Sequence, residues 1–328
     1  RAYGLVGPLV AAVRLGIVTL DEAELERLGA RHEAEMEWCL LVERRLLDIE
    51  EVFDRIGGVD HRVLKGPAVA HLDEPDPSLR SFGDLDILIA AHDMDRGIAA
   101  LETLGAERRL PERRPGFDRR FVKGVGMACD DGVEIDVHRS LCGGPHGFRI
   151  PLDRLFAEER VFDVGGRPIP ALSDRHRALH ACYHAVIGSA VPPLRTLRDL
   201  AGFLTLGEPV EDLVGEARRW RGEAVLAAAV GLTVDVFDLV LPEWTDWVER
   251  FGMSDTEADI IRRARREPTG IVEPGVLAEL SWPERAAFLF AVAFPSKAVL
   301  AERGQTPLGR ITSGLRRMRG DRTTDRDG

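Results

Sequence analysis

Ser81-Phe82-Gly83-Asp84-Leu85-Asp86-Ile87-Leu88-Ile89 reads as a strand with two acids on one face, and Val133-Glu134-Ile135-Asp136-Val137-His138 reads as a second strand of the same kind. Side chains leave a strand alternately, so Asp84 and Asp86 share a face, about 6 to 7 Å apart along the backbone, while Leu85, Ile87 and Ile89 take the other. Asp136 repeats the arrangement. The three carboxylates converge if the two strands lie side by side. Such a cluster repels itself, and divalent cations are the usual answer: hard oxygen ligands suit magnesium, and two ions can bridge the phosphates of a nucleotide.

Around these strands the pattern is mixed. Thr19-Leu20-Asp21-Glu22 reads as a capping box, and the apolar positions Leu25, Leu28, Met36, Leu40 and Leu47 suit helices up to Ile56, closed by Gly57-Gly58. Val59 to Leu64 is expected as a short strand leading into Lys65-Gly66-Pro67, with a helix start over Ala68 to Leu72. Asp84 to Ala90 is expected as a strand and Met94 to Leu104 as a helix. Arg119 to Lys123 and Val133 to Arg139 are strand candidates flanking a turn over Gly124 to Gly132. A small hairpin is expected over Val161 to Ile169. From Leu172 onward runs at helical spacing occupy 174–188, 194–206, 210–219, 222–239, 255–266 and 283–302. The expected class is α+β: a small mixed sheet with flanking helices, then a mainly α-helical part. The expected division is an N-terminal helical extension (1–57), an α/β core (58–170), a helical C-terminal domain (171–305) and a basic, flexible tail (306–328).

Composition narrows the partners. The 328 residues hold 44 basic and 55 acidic side chains, a formal net charge of −11, which argues against a long nucleic acid as ligand. The four cysteines, Cys39, Cys129, Cys142 and Cys182, form no C-x-x-C pair, which suits a reduced, cytoplasmic setting better than a disulfide framework or a zinc ribbon. No run of eighteen apolar residues is present to span a membrane; Ala286 to Phe294 reads as a buried helix.

With Leu64-Lys65-Gly66, Arg80, Gly83-Asp84-Leu85-Asp86 and Ile135-Asp136-Val137-His138 in this order, the chain resembles the nucleotidyltransferases of the polymerase-beta-like superfamily. It is most similar to the bacterial branch labelled uncharacterised nucleotidyltransferase, which carries Lys-Gly where ordinary members have Gly-Ser. The stretch Leu172-Ser173-Asp174 through His180, His184 and Leu197-Arg198-Asp199-Leu200 also looks like that branch. The resemblance implies a transferase that binds a nucleoside triphosphate such as ATP with two magnesium ions, or manganese in their place. An acceptor hydroxyl or phosphate attacks the α-phosphorus and pyrophosphate leaves. Asp84 and Asp86 are then expected to hold both ions, and Asp136 the ion that lowers the acceptor's pKa. Lys65, Gly66, Arg80, Gly83 and His138 are expected as substrate contacts, Lys65 and Arg80 at the β- or γ-phosphate. Glycine admits close backbone approach to phosphate, and Pro67 suits the first turn of a helix. The expected acceptor is a small molecule, a peptide or a protein.

Plainer readings stand beside these. Asp84 and Asp86 also suit a solvated strand end, Glu134 can substitute for Asp136, and the arginines of 108 to 120 suit a solvated loop as well as a clasp for an acidic acceptor. His176, His180 and His184 are spaced four apart and can share a helical face, but no H-E-x-x-H motif accompanies them, so helix packing or a cleft-facing role is expected over zinc. The rival overall reading is a catalytically silent nucleotide-binding or antitoxin-like protein of the same fold.

Overall fold

The computed structural model describes residues 4–266, 274–302 and 304; the expected basic tail lies outside them. Seven strands form one mixed sheet: β1 His61–Val63, β2 Asp84–Ile89, β3 Glu107–Arg108, β4 Gly124–Ala128, β5 Glu134–His138, β6 Glu159–Val164 and β7 Arg167–Leu172, in the order β3-β4-β5-β2-β1-β7-β6. β2 and β5 run parallel, as do β1 and β7, and the other neighbours are antiparallel. The expected hairpin, β6 with β7, thus extends the sheet from its β1 edge.

The two faces of the sheet are covered differently. Leu85, Ile87 and Ile89 join Ile135, Val137, Val125 and Met127 in one core, against the buried stripe Cys39, Val42, Leu46, Ile49, Val52 and Phe53 of a single helix, Glu22–Arg55. Spacings of three and four place that stripe on one helical face. Its cap falls two residues later than expected: Asp21 accepts from the Glu24 amide at 2.7 Å, and Glu24 accepts from the Asp21 amide at 2.9 Å. The opposite face carries Leu64, Leu88 and Leu172 into a second core with the helices Asp174–Ile187, Leu194–Leu206, Val210–Arg219, Glu223–Phe237 and Pro242–Phe251. This is the face on which the acids project.

Two expectations about local structure are corrected. Arg119 to Lys123 is not a strand; a short helix, Asp118–Phe121, fills most of it, and the strand is β4, where a turn was expected. The glycines that suggested a turn are strand residues pressed against β5, for a Cβ on Gly124 would lie 2.5 Å from the Val137 carbonyl oxygen. The run 283–302 is two helices, Trp282–Ala293 and Lys297–Glu302, broken at Pro295. Phe288 and Ala291 of the first are buried, but Leu289, Phe290 and Phe294 are exposed. The four cysteines are buried thiols, none of them in a disulfide.

Candidate active site

Parallel pairing of β2 with β5 sets Asp84 opposite Glu134, Asp86 opposite Asp136 and Leu88 opposite His138. Neighbouring strands lie about 4.8 Å apart and directly paired residues share a face, so the register itself brings the carboxylates together. Asp86 is buried at 2% exposure, whereas Asp84 stands at the open rim. His138 Nε2 lies 2.8 Å from Asp86 Oδ1, and its Nδ1 lies 3.3 Å from the Ser140 carbonyl oxygen. Lys65 Nζ is 3.0 Å from Asp86 Oδ2 and 3.6 Å from Asp84 Oδ2. Glu134, the alternative ligand, is ion-paired with Arg109.

The electrostatics follow from this crowding. Burial opposes the charge on Asp86, but Lys65 and then His138 outweigh it and hold the carboxyl far below the usual range. Burial likewise opposes the Lys65 ammonium, and Asp86 with Asp84 more than compensates, so its pKa is raised. Asp136 moves the other way: burial and then the Asp86 carboxylate raise its pKa.

Lys65 follows β1 after one residue, Leu64. The Leu64 amide donates to the Asp86 carbonyl oxygen at 2.9 Å, which ties this turn to the acid strand. Gly66 has φ +64° and ψ −114°, a conformation essentially reserved for glycine, and opens the helix Pro67–Asp73. Arg80 is buried; its guanidinium donates to Asp199, with Nη2 2.8 Å from Oδ2, and its Nη1 donates to the Gly66 carbonyl oxygen at 3.2 Å. These bonds hold the Lys65-Gly66 turn against the helical half. Gly83 accepts from Trp38 Nε1 at 3.2 Å.

The three spaced histidines separate. His176 stacks on Trp220 and lies 3.5 Å from Glu216, inside the second core. His180 and His184 face the acids. Burial keeps both below the usual imidazole range, helped at His184 by Lys65 and Lys123, which bring it to about 3; Thr196 Oγ1 lies 3.2 Å from its Nδ1. A cavity of about 30 Å3, room for a water molecule, opens among Lys65, Arg80, His180, His184, Thr196 and Asp199.

Two cations at the cleft escaped the sequence reading. Arg195 donates Nη1 to the Ser81 carbonyl oxygen at 3.0 Å, and its charge acts on Lys65 and Asp84. Lys123 is exposed, and its charge acts on Asp136, His180 and His184. Neither lies in a recognisable motif; only the packing of the helix Leu194–Leu206 and the strand β4 brings them here. Of the arginines in 108–120, Arg108 is paired with Asp118, and Arg114 donates to the Phe294 carbonyl oxygen.

The donor set suits a hard cation. Among the described residues, Asp86, Asp136 and His138 are the group whose candidate ligand atoms all lie within 4.8 Å of one another. Asp86 Oδ2 is buried and accepts no well-aligned hydrogen bond, its neighbour being the Lys65 ammonium as an ion pair. Gly126, paired with Asp136, keeps the approach clear, since a Cβ there would come within 3.4 Å of Asp136 Oδ1.

A mixed sheet with acids in register on two parallel strands, under a helical layer, is an arrangement suited to phosphate chemistry. The chain belongs to the family described as uncharacterised nucleotidyltransferase, whose sequence profile matches residues 4–238. Among solved structures it is similar to that of an antigenic nucleotidyltransferase-like protein from Paracoccidioides brasiliensis, at 14% identity, over 65% of this chain and 92% of that one, with a TM-score of 0.37. No curated protein matches it.

Proposed function

We propose that this protein transfers a nucleoside monophosphate, or a related phosphorylated group, from a nucleoside triphosphate to an acceptor. The observation that carries this reading is the in-register pair of Asp86 and Asp136, with Asp84 at the rim and Lys65 and His138 on the two oxygens of Asp86. Asp84 and Asp86 would hold two magnesium ions, and Asp136 would share one; manganese is the expected substitute. Such ions neutralise triphosphate charge and lower the pKa of an acceptor hydroxyl.

The remaining roles belong to the chain. Asp136, whose proton affinity burial and Asp86 raise, takes the acceptor's proton. A bond then forms between the acceptor oxygen and the α-phosphorus, and the bond to the bridging oxygen of the β-phosphate breaks. The pyrophosphate carries the departing electron pair. Lys65 and Arg195 contact the β- and γ-phosphates, where compact and forked cations serve as charge and as geometry. His138 positions Asp86, and Arg80 positions the Lys65-Gly66 turn rather than meeting phosphate itself, since its guanidinium is already bound to Asp199 and Gly66. The helical half, 171–305, would close over an acceptor that is a small molecule, a peptide or a protein. No helix among the described residues is long and apolar enough to cross a membrane.

The test is isotopic. Each nucleoside triphosphate, labelled at the α- or the γ-phosphate, is incubated with magnesium and fractionated cell extract, using wild type and Asp86→Asn. Transfer of the α-label but not the γ-label, absent in Asp86→Asn, is expected. Transfer of the γ-label would make the protein a kinase, and transfer of neither from any of the four would refute nucleotidyl transfer.

A further inference from the structure

Of the 44 basic residues only three are lysines, Lys65, Lys123 and Lys297, and two of these stand at the cleft. The chain uses arginine almost everywhere that a cation suffices. A lysine presents a compact, strongly hydrated point charge where arginine presents a wide planar fork, so the two are not interchangeable at a tight anion contact.

The sheet order separates the two lysines. Lys65 follows Leu64 just past the end of β1, on one side of the acid strands, while Lys123 immediately precedes β4, on the other, with β5 carrying Asp136 and β2 carrying Asp84 and Asp86 between them. The backbone of Lys123 is fixed: its carbonyl accepts from the Arg139 amide at 2.8 Å and from the Ser140 amide at 3.1 Å. Its side chain is exposed and, among the described residues, has no carboxylate within ion-pair distance, in contrast to Lys65. Beside it Gly124 and Gly126 leave the face of β4 bare next to Asp136.

On the reading that Asp136 serves the acceptor, which this inference rests on, the β4 side is the acceptor's side. We infer that the acceptor carries an anionic group, a phosphate or a carboxylate, which Lys123 binds beside Asp136. Lys65 reads the donor and Lys123 the acceptor. A neutral acceptor would leave Lys123 without work at the cleft.

The experiment uses the full chain loaded with manganese and a non-hydrolysable nucleoside triphosphate, titrated calorimetrically with inorganic phosphate and, separately, with acetate. Wild type is expected to bind at least one of these anions. Phosphate alone indicates a phosphorylated acceptor and acetate a carboxylate. Lys123→Met is expected to leave nucleotide affinity within about threefold and to weaken the anion at least about tenfold, the scale of one charge-assisted contact. Lys297→Met should change neither. Loss of nucleotide affinity in Lys123→Met by tenfold or more would move Lys123 to the donor's side and overturn the inference. So would a loaded wild type that binds neither anion. If wild type fails to bind the nucleotide at all, the nucleotidyl-transfer reading itself falls, a distinct result.

Discussion

Asp86 faces a contradiction that its neighbours resolve: it is almost fully buried yet ionised, because Lys65 sits on one oxygen and His138 on the other. Removing either should act on cation binding, in opposite directions. His138→Ala should weaken manganese affinity by roughly 10- to 100-fold, as loss of a partner that orients a ligand does. Unchanged affinity in a manganese titration would remove His138 from that role. Lys65→Met should instead strengthen manganese binding by the free protein, because the ammonium no longer competes for Asp84 and Asp86, while weakening triphosphate binding. Weaker binding of manganese alone would contradict the competition. Gly66→Ala should destabilise the fold by about 1–3 kcal/mol, read from denaturant melts, for its φ and ψ suit only glycine. At this scale the sequence was informative where side chains alternate on a strand. Asp84, Asp86, Asp136 and His138 could be placed from period two alone. Lys123 and Arg195 could not, because their nearness to the acids depends on how β4 and the helix Leu194–Leu206 pack.

The elements carry the site by register. A shift of β5 by one residue would turn Asp136 and His138 into the core and expose Ile135 and Val137, so the apolar face enforces the acid face. That core rests on the helix Glu22–Arg55, and Leu46, wholly buried there, is its plainest probe. Leu46→Ala should cost about 2–5 kcal/mol in equilibrium unfolding. A loss under 1 kcal/mol would mean that the helix contributes little to holding the sheet. The helical character of the stretch up to Ile56 and of the runs after Leu172 was readable from sequence, but not that a single helix, Glu22–Arg55, fills most of the first. β4 was not, since glycine usually marks a turn, and its place in a strand depends on the close approach of β5. Periodicity does not reveal the break at Pro295, because the residues on both sides keep helical spacing.

At the scale of the molecule, three arginine–carboxylate pairs among the described residues join the helical half to the segment that follows Lys65: Arg80 with Asp199, Arg177 with Asp73, and Arg198 with Glu74. Breaking the buried one, by Asp199→Ala, should cost about 3–5 kcal/mol and loosen the Lys65-Gly66 turn. Acid should also destabilise the assembly. His146, under Tyr183, is held at about 4 by burial and then by Arg149, against an ordinary 6.5. The unfolded chain takes up this proton first, so the stability contribution is complete above pH 6.5 and is lost as the pH falls toward 4. Urea melts at pH 7 and pH 5 should differ less in His146→Gln than in wild type; equal differences would exclude His146 as a source.

The central claim is that the carboxylates on paired strands, the buried Asp86 foremost, bind a divalent cation together with a nucleotide. It is tested most directly by calorimetric titration of a non-hydrolysable nucleoside triphosphate into wild type and Asp86→Asn, with and without manganese. Binding to wild type is expected to require manganese and to disappear in Asp86→Asn while that variant remains folded. Binding that persists without the metal, or that survives intact in Asp86→Asn, would contradict it.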